Sequence, residues 1–360
     1  MKKLLSFLMT AALLLTMVSF ASAEGPIQVD VFFYEYSDTY IGTVRDAMET
    51  SLKSMSDKFT YNFYDCASDQ SKQNNYIESA LTKGTDLLVV NIVTTGSEEA
   101  AQNIVDMAKE KDVPVIFFNR EVSDTVVSSY EKCAFVGTDP DEAGYMQGQM
   151  IAEFMQADGN LDKFDLNKDG KLNYVMFRGE LGNAEAFGRT KYSVQKCNEL
   201  GVALAPSAAN QKDTTQEDDG ISPYYLYGNW SAATAKNLMD TALTTFALDN
   251  GDIELIIANN DDQALGAIES LNEKGYNTGA ADAGYIPTFG VDATAVAVDA
   301  IANGKMTGTI KQDAVGMADT ILTLAGNIVA GGQLMDNTDT LNVDEGVAKI
   351  RVPYAIYTGK

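Results

Sequence analysis

Short, nearly continuous apolar runs alternate along this chain with longer stretches in which apolar positions recur every three or four residues. IQVDVFFY (27–34), TYNFYDC (60–66), DLLVVNIV (86–93), PVIFFN (114–119) and CAFVGTD (133–139) have the pattern of strands buried on both faces. Helical stretches from Ile41 to Met55 and from Asn74 to Lys83 separate the first three. A second series follows: NYVMFRGE (173–180), GVALA (201–205), IELIIANND (253–261), IPTFGVD (286–292) and GTIKQD (308–313), again with helical stretches between. Strands alternating with helices predict an α/β fold of two similar doubly wound parallel-sheet lobes. The least regular region, Ser207 to Gly228, contains the turn-rich KDTTQEDDG and reads as a surface insertion.

Several strands end abruptly in polar residues: Asn119-Arg120-Glu121, Arg178-Gly179-Glu180, Asn259-Asn260-Asp261, Asp292 and Gln312-Asp313. Asn and Asp at such positions are ordinary helix caps and turn formers. In open parallel sheets, however, ligands bind outside the carboxyl ends of the strands, so the set predicts one cleft.

Charge and termini narrow the partners. The chain opens with Lys2 and Lys3, continues through LLSFLMTAALLLTMVSF and reaches Ala21-Ser22-Ala23, which reads as a signal peptide over residues 1–23. No cysteine follows the apolar run, so no lipid attachment point is expected, and the protein should be periplasmic. The remaining chain, about 337 residues, exceeds what one core usually supports and favours two lobes. The formal charge of −25 becomes −27 without the leader, which makes nucleic acid an unsuitable partner. Cys66, Cys133 and Cys197 are too few and too widely spaced for a disulfide framework and are expected to be buried thiols. The sequence has no histidine, which removes Ser-His and Cys-His catalysis and histidine metal sites. A glycoside hydrolase using Asp38 and Asp292 as a carboxylate pair is the enzymatic alternative.

DLNKDGKLN carries one further signal. Counted as an EF-hand loop, it offers Asp165, Asn167, Asp169, the Lys171 carbonyl and Asn173 at positions 1, 3, 5, 7 and 9, with Gly170 at position 6. Position 12 is Met176, which cannot ligate calcium, so the site needs an acid from elsewhere. The same residues also suit a plain polar turn.

Together the incomplete calcium loop, QSKQN (70–74), VIFFNRE (115–121), IANND and FGVDA resemble the galactose/glucose-binding members of the periplasmic binding protein type I family. The resemblance covers nearly the whole chain after the leader. It implies a hinge between the lobes and a soluble, monomeric receptor that closes on a monosaccharide, D-galactose or D-glucose. Such a receptor hands the sugar to an ABC permease and, in some members, engages a chemoreceptor; a signalling ectodomain is the other receptor reading. The lobes are expected to comprise residues 24–139 with 314–345, and residues 140–313 with 346–360.

The resemblance also implies Glu254 as the missing calcium ligand, and a sugar site of Asp38, Tyr40, Asn119, Asn183, Glu185, Arg189, Trp230, Asn260, Asp292 and Gln312. Carboxylates and amides suit sugar hydroxyls, Arg supplies a planar fork, and Tyr40 and Trp230 supply flat faces. Besides Tyr40, which stands where the family usually has phenylalanine, three positions depart from the family pattern. Asn183 replaces a histidine, Glu185 an aspartate and Gln312 an asparagine, which leaves the choice of sugar open.

Overall fold

The computed structural model describes residues 25–359, so the leader read at residues 1–23 lies outside the described residues. The first lobe runs β1 (Ile27–Phe33), α1 (Thr39–Ser54), β2 (Phe59–Asp65), α2 (Gln70–Lys83), β3 (Leu87–Val90), α3 (Glu98–Glu110), β4 (Val115–Phe118), α4 (Asp124–Ser128) and β5 (Cys133–Gly137). The chain then crosses to α5 (Glu142–Gln156), α6 (Asn160–Phe164), β6 (Leu172–Arg178), α7 (Ala184–Glu199), β7 (Leu204–Pro206), β8 (Gln211–Lys212) and β9 (Tyr224–Tyr227). The second lobe continues through α8 (Ala232–Ala242), β10 (Leu255–Ala258), α9 (Asp261–Glu273), β11 (Thr288–Asp292), α10 (Ala295–Ala302) and β12 (Gly308–Lys311). Helix α11 (Ala314–Val329) and β13 (Lys349–Arg351) return to the first lobe, and β14 (Ala355–Tyr357) ends in the second.

The first sheet has the order β13-β5-β4-β3-β1-β2, with every pairing parallel. The second has the order β14-β12-β11-β10-β6-β9-β8, with β7 beside β6 and antiparallel pairs only at its edges. Alternating side chains explain the continuous apolar runs. Along β6, Tyr174 and Met176 enter one core while Val175 and Phe177 enter the core on the opposite face. Along β10, Leu255 and Ile257 divide from Ile256 and Ala258 in the same way. All three cysteines are buried free thiols, and no helix among the described residues is long and apolar enough to cross a membrane.

Two expectations are corrected. Residues 346–360 do not all belong to the second lobe: β13 pairs with β5, and Ile350 is buried in the first core. Ion pairs carry the charged residues of this strand. Lys349 Nζ lies 2.5 Å from Glu121 and 2.7 Å from Asp124, while Arg351 pairs with Glu121 at 2.6 Å and Asp344 at 2.8 Å. The stretch 207–228 is likewise not all insertion, because Tyr225 and Leu226 are buried and β9 pairs in parallel with β6 at Phe177 and Arg178.

Three chain crossings join the lobes, after β5, after β12 and between β13 and β14. Thr138 on the first and Tyr354 on the third share a hydrogen bond of 2.8 Å. In the second lobe Asp261, just past the end of β10, accepts from Thr294 N beyond β11 at 2.7 Å and from the Thr309 hydroxyl within β12 at 2.6 Å, tying the three strands together. Burial pushes this carboxyl up to about 7, against the lowering effect of both threonines. The native state therefore keeps the Asp261 proton up to about pH 7, whereas the unfolded chain releases it near pH ~4. The stability that this group contributes is complete below that lower value and is lost as pH rises through the higher one. Asp261→Asn should fold, with its amide donating to Thr309, and urea denaturation between those pH values should show a flatter dependence of stability on pH than in the parent protein.

Candidate functional site

The strand ends of the two sheets face each other across a cleft. From the first lobe Asp38, Tyr40 and Asn119 reach it, and from the second Asn183, Glu185, Arg189, Trp230, Asn260 and Asp292, with Gln312 on the second crossing. Every sugar-site residue that the resemblance implied therefore lines one cavity. Tyr34, Ile41 and Arg120 line it as well.

Several of these side chains are at once helix caps and cleft walls. Asp38 Oδ1 accepts from Ile41 N at 2.8 Å to start α1, and its Oδ2 accepts the Tyr34 hydroxyl at 2.6 Å. Asn183 caps α7 through Ala186 N at 2.8 Å. That bond occupies the side-chain oxygen and leaves the amide nitrogen as the donor. Asn260 caps α9 through Gln263 N at 3.0 Å and also donates to the Trp230 carbonyl at 3.1 Å, so both of its polar atoms already hold structure.

The backbone is strained where the cleft residues project. Asn119, Trp230 and Asp292 have φ of 63°, 64° and 124°, and Asn229 and Ala293 beside them have 46° and 56°. Such conformations cost about 1–3 kcal/mol each and cluster at ligand sites. Gly179 makes room for Trp230, since a Cβ there would come within 2.4 Å of the indole.

Arg189 is the electrostatic centre. Its Nη1 donates to Asn259 O at 2.9 Å, its Nη2 donates to Gln312 Oε1 and to the Tyr354 hydroxyl, both at 3.0 Å, and Asp292 lies 3.8 Å away. Burial raises the Asp292 carboxyl well above the usual range, and Arg189 opposes that shift. Burial, reinforced by the Glu121 carboxylate, raises Glu185. Arg189 Nε, Gln312 Nε2 and Glu185 Oε2 are buried without a hydrogen-bond partner among the described residues. Two donors and one acceptor are thus held in the cleft wall with their hydrogen-bonding capacity unspent.

The lobes touch across the cleft. Arg120 pairs with Glu180, which also accepts the Thr95 hydroxyl at 3.1 Å. Glu121 N donates to Glu185 Oε1 at 3.2 Å, and the Thr39 hydroxyl donates to Asp262 at 2.7 Å on the opposite edge. Not every polar strand end converges as expected: Arg178 turns away to stack on Tyr225 at 4.8 Å, and Glu121 joins the ion pairs of β13.

The loop at Asp165 lies apart from the cleft, between α6 and β6. Glu254 reaches it from 88 positions along the chain, its Oε1 accepting Leu166 N at 2.6 Å and its Oε2 accepting Asn173 N at 2.8 Å. Asp165 Oδ1 is buried without a partner. Asn167 and Asp169 cap the amides of Asp169 and Lys171 at 2.9 and 2.8 Å, as in a polar turn. Among the described residues no group of three or more acidic or cysteine side chains is arranged to hold a metal ion. The oxygens present, Asp165 Oδ1 buried without a partner and Glu254 facing the same loop, are of the kind a hard cation takes.

A model of the periplasmic binding protein domain matches residues 29–333. A D-galactose/methyl-galactoside binding periplasmic protein of Haemophilus influenzae is 33% identical over 93% of this chain and 90% of its own length. An ABC transporter solute binding protein from Bacillus halodurans, solved with bound myo-inositol, superposes with a TM-score of 0.66 at 24% identity, covering 93% of this chain and 95% of its own. Another from Clostridium phytofermentans, solved with bound β-D-glucose, gives 0.68 at 19% identity and covers 92% and 94%. The match over residues 29–333 and the 33% identical relative place the chain in the periplasmic binding protein family, as a binding protein and not an enzyme.

Proposed function

We propose that this protein is an extracytoplasmic receptor for a neutral hexose, D-galactose or D-glucose first, which closes on the sugar by hinge motion and delivers it to an ABC permease. A chemoreceptor is a second outlet for the same closed form. The observation that carries the reading is the set of buried polar atoms without partners, Arg189 Nε, Gln312 Nε2 and Glu185 Oε2, beside the indole of Trp230. Sugar hydroxyls both donate and accept, so they can satisfy the two donors and the acceptor together. Arg120 pairs with Glu180 and Arg189 lies beside Asp292, so among the described residues the cleft holds no unpaired cation for an anionic ligand. Because the contacts come from both lobes, bound sugar stabilises the closed arrangement over an open one. The relative from Haemophilus influenzae supports galactose, and the solved relatives bound to inositol and glucose support a cyclic polyol in general.

Titration with glucose, galactose, ribose, xylose and arabinose, followed by Trp230 fluorescence and calorimetry, should give saturable one-to-one binding to a hexose. No response to any of these sugars would overturn the reading. Asp292→Ala should weaken binding by about 10- to 100-fold, since it removes a buried hydrogen-bonding partner beside the Arg189 guanidinium, a loss of roughly 1.5–3 kcal/mol.

We also propose that Asp165, Asn167, Asp169, the Lys171 carbonyl, Asn173 and Glu254 hold a structural calcium ion. Bound calcium would supply positive charge between Asp165 and Glu254 and brace β6 against β10 without touching the sugar. A ligand present at about 100 times its Kd stabilises the native state by about 2.7 kcal/mol. Chelation should therefore lower Tm by several degrees, and added calcium should restore it. Glu254→Gln should remove that response while leaving one-to-one sugar binding in place.

A further inference from the structure

A second chamber, half open to solvent, adjoins the cleft and shares Tyr34, Arg120 and Trp230 with it. Its remaining wall comes from both lobes: Glu35, Ser68 and Thr94 on one side, Glu180, Tyr227 and Asn229 on the other. Val93 is the single aliphatic residue in the lining.

The wall is held in place by its own hydrogen bonds. The Ser68 hydroxyl donates to Glu35 Oε2 at 2.5 Å, and Ser37 donates to the other oxygen of the same carboxylate. The Tyr227 hydroxyl donates to Asn229 Oδ1 at 3.0 Å while the residue stays 40% exposed, an accessible aromatic side chain in a polar chamber. Arg120 is fixed between the chambers, its Nη1 held by the carbonyls of Ile92 (2.9 Å) and Val93 (2.5 Å) and its guanidinium 4.1 Å from the centre of the Tyr34 ring. Carboxylates, an amide, hydroxyls and an aromatic face are the groups that recognise an uncharged polyol. Glu35 and Glu180 against Arg120 leave a negative excess that disfavours a phosphate or a sugar acid.

We propose that the cleft is two-chambered and accepts a hexose carrying a second neutral sugar in glycosidic linkage. The terminal hexose sits among Asn119, Arg189 and Asp292, and the linked unit lies against Tyr227 and Glu35. The linking bond passes between Arg120 and Trp230, which line both chambers. This assignment rests on the hexose reading above and extends it from a free monosaccharide to a disaccharide.

The test is calorimetry on the intact protein with galactose, lactose and melibiose, and with glucose, maltose and trehalose. At least one disaccharide should bind one-to-one and compete with its parent hexose. Tyr227→Ala and Glu35→Gln change residues that line only the second chamber. Each should weaken that disaccharide by about tenfold, or about 1.4 kcal/mol, while hexose affinity stays within about twofold. Thermal melting checks that both variants remain folded. If the hexoses bind and none of the four disaccharides does, or if both variants weaken hexose and disaccharide equally, the two-chamber assignment is overturned and the hexose reading stands. If neither hexoses nor disaccharides bind, the hexose reading fails and the assignment fails with it.

Discussion

Everything at the cleft depends on one buried guanidinium. Arg189 comes from α7, yet it bonds the Asn259 carbonyl at the end of β10, Gln312 on the second crossing and Tyr354 on the third. Tyr354 in turn reaches Thr138 on the first crossing. A single hydrogen-bonded chain therefore joins the floor of the cleft to all three connections between the lobes. Taking such a charge out of water is costly unless its partners are fixed, and here strand ends and crossings fix them. The geometry of the cleft and the geometry of the hinge are one constraint.

A second economy lies in the caps. A strand that ends at a cleft must start a helix almost at once, and that helix needs its first amides satisfied. Asp38, Asn183 and Asn260 meet this need while lining the cavity. For these residues, capping a helix and lining the cleft are not alternatives. What differs is the spare capacity: Asn183 retains its amide nitrogen for the cleft, whereas both polar atoms of Asn260 already hold structure.

This doubling explains why so much was legible in the sequence. Strands buried on both faces announced the two sheets, and polar residues at their ends announced the cleft. Charge pattern hid β13, because Lys349 and Arg351 look like surface residues until Glu121, far away in the chain, is placed beside them. Polar flanks in the same way hid β9, whose buried Tyr225 and Leu226 follow a turn-rich hairpin. No local pattern marks the left-handed backbone at Asn119 and Trp230, or Tyr34 orienting Asp38, because these depend on what the opposite wall supplies. Glu254 was reachable only through resemblance, since it lies 88 positions from the loop amide that it accepts.

The close approach of Gly96 to Gly182 carries a consequence of its own. A Cβ at Gly96 would come within 2.7 Å of the Gly182 carbonyl oxygen, so the two lobes meet here backbone to backbone. Neither glycine lines the cleft, so under the proposed hinge closure bulk at this seam would limit how often the lobes shut without altering a cleft contact. Apparent affinity is the intrinsic affinity scaled by the fraction of molecules competent to hold the ligand. Bulk at this seam would then act as a dial on uptake threshold, retuning the concentration at which the receptor fills while leaving untouched every group that lines the cleft.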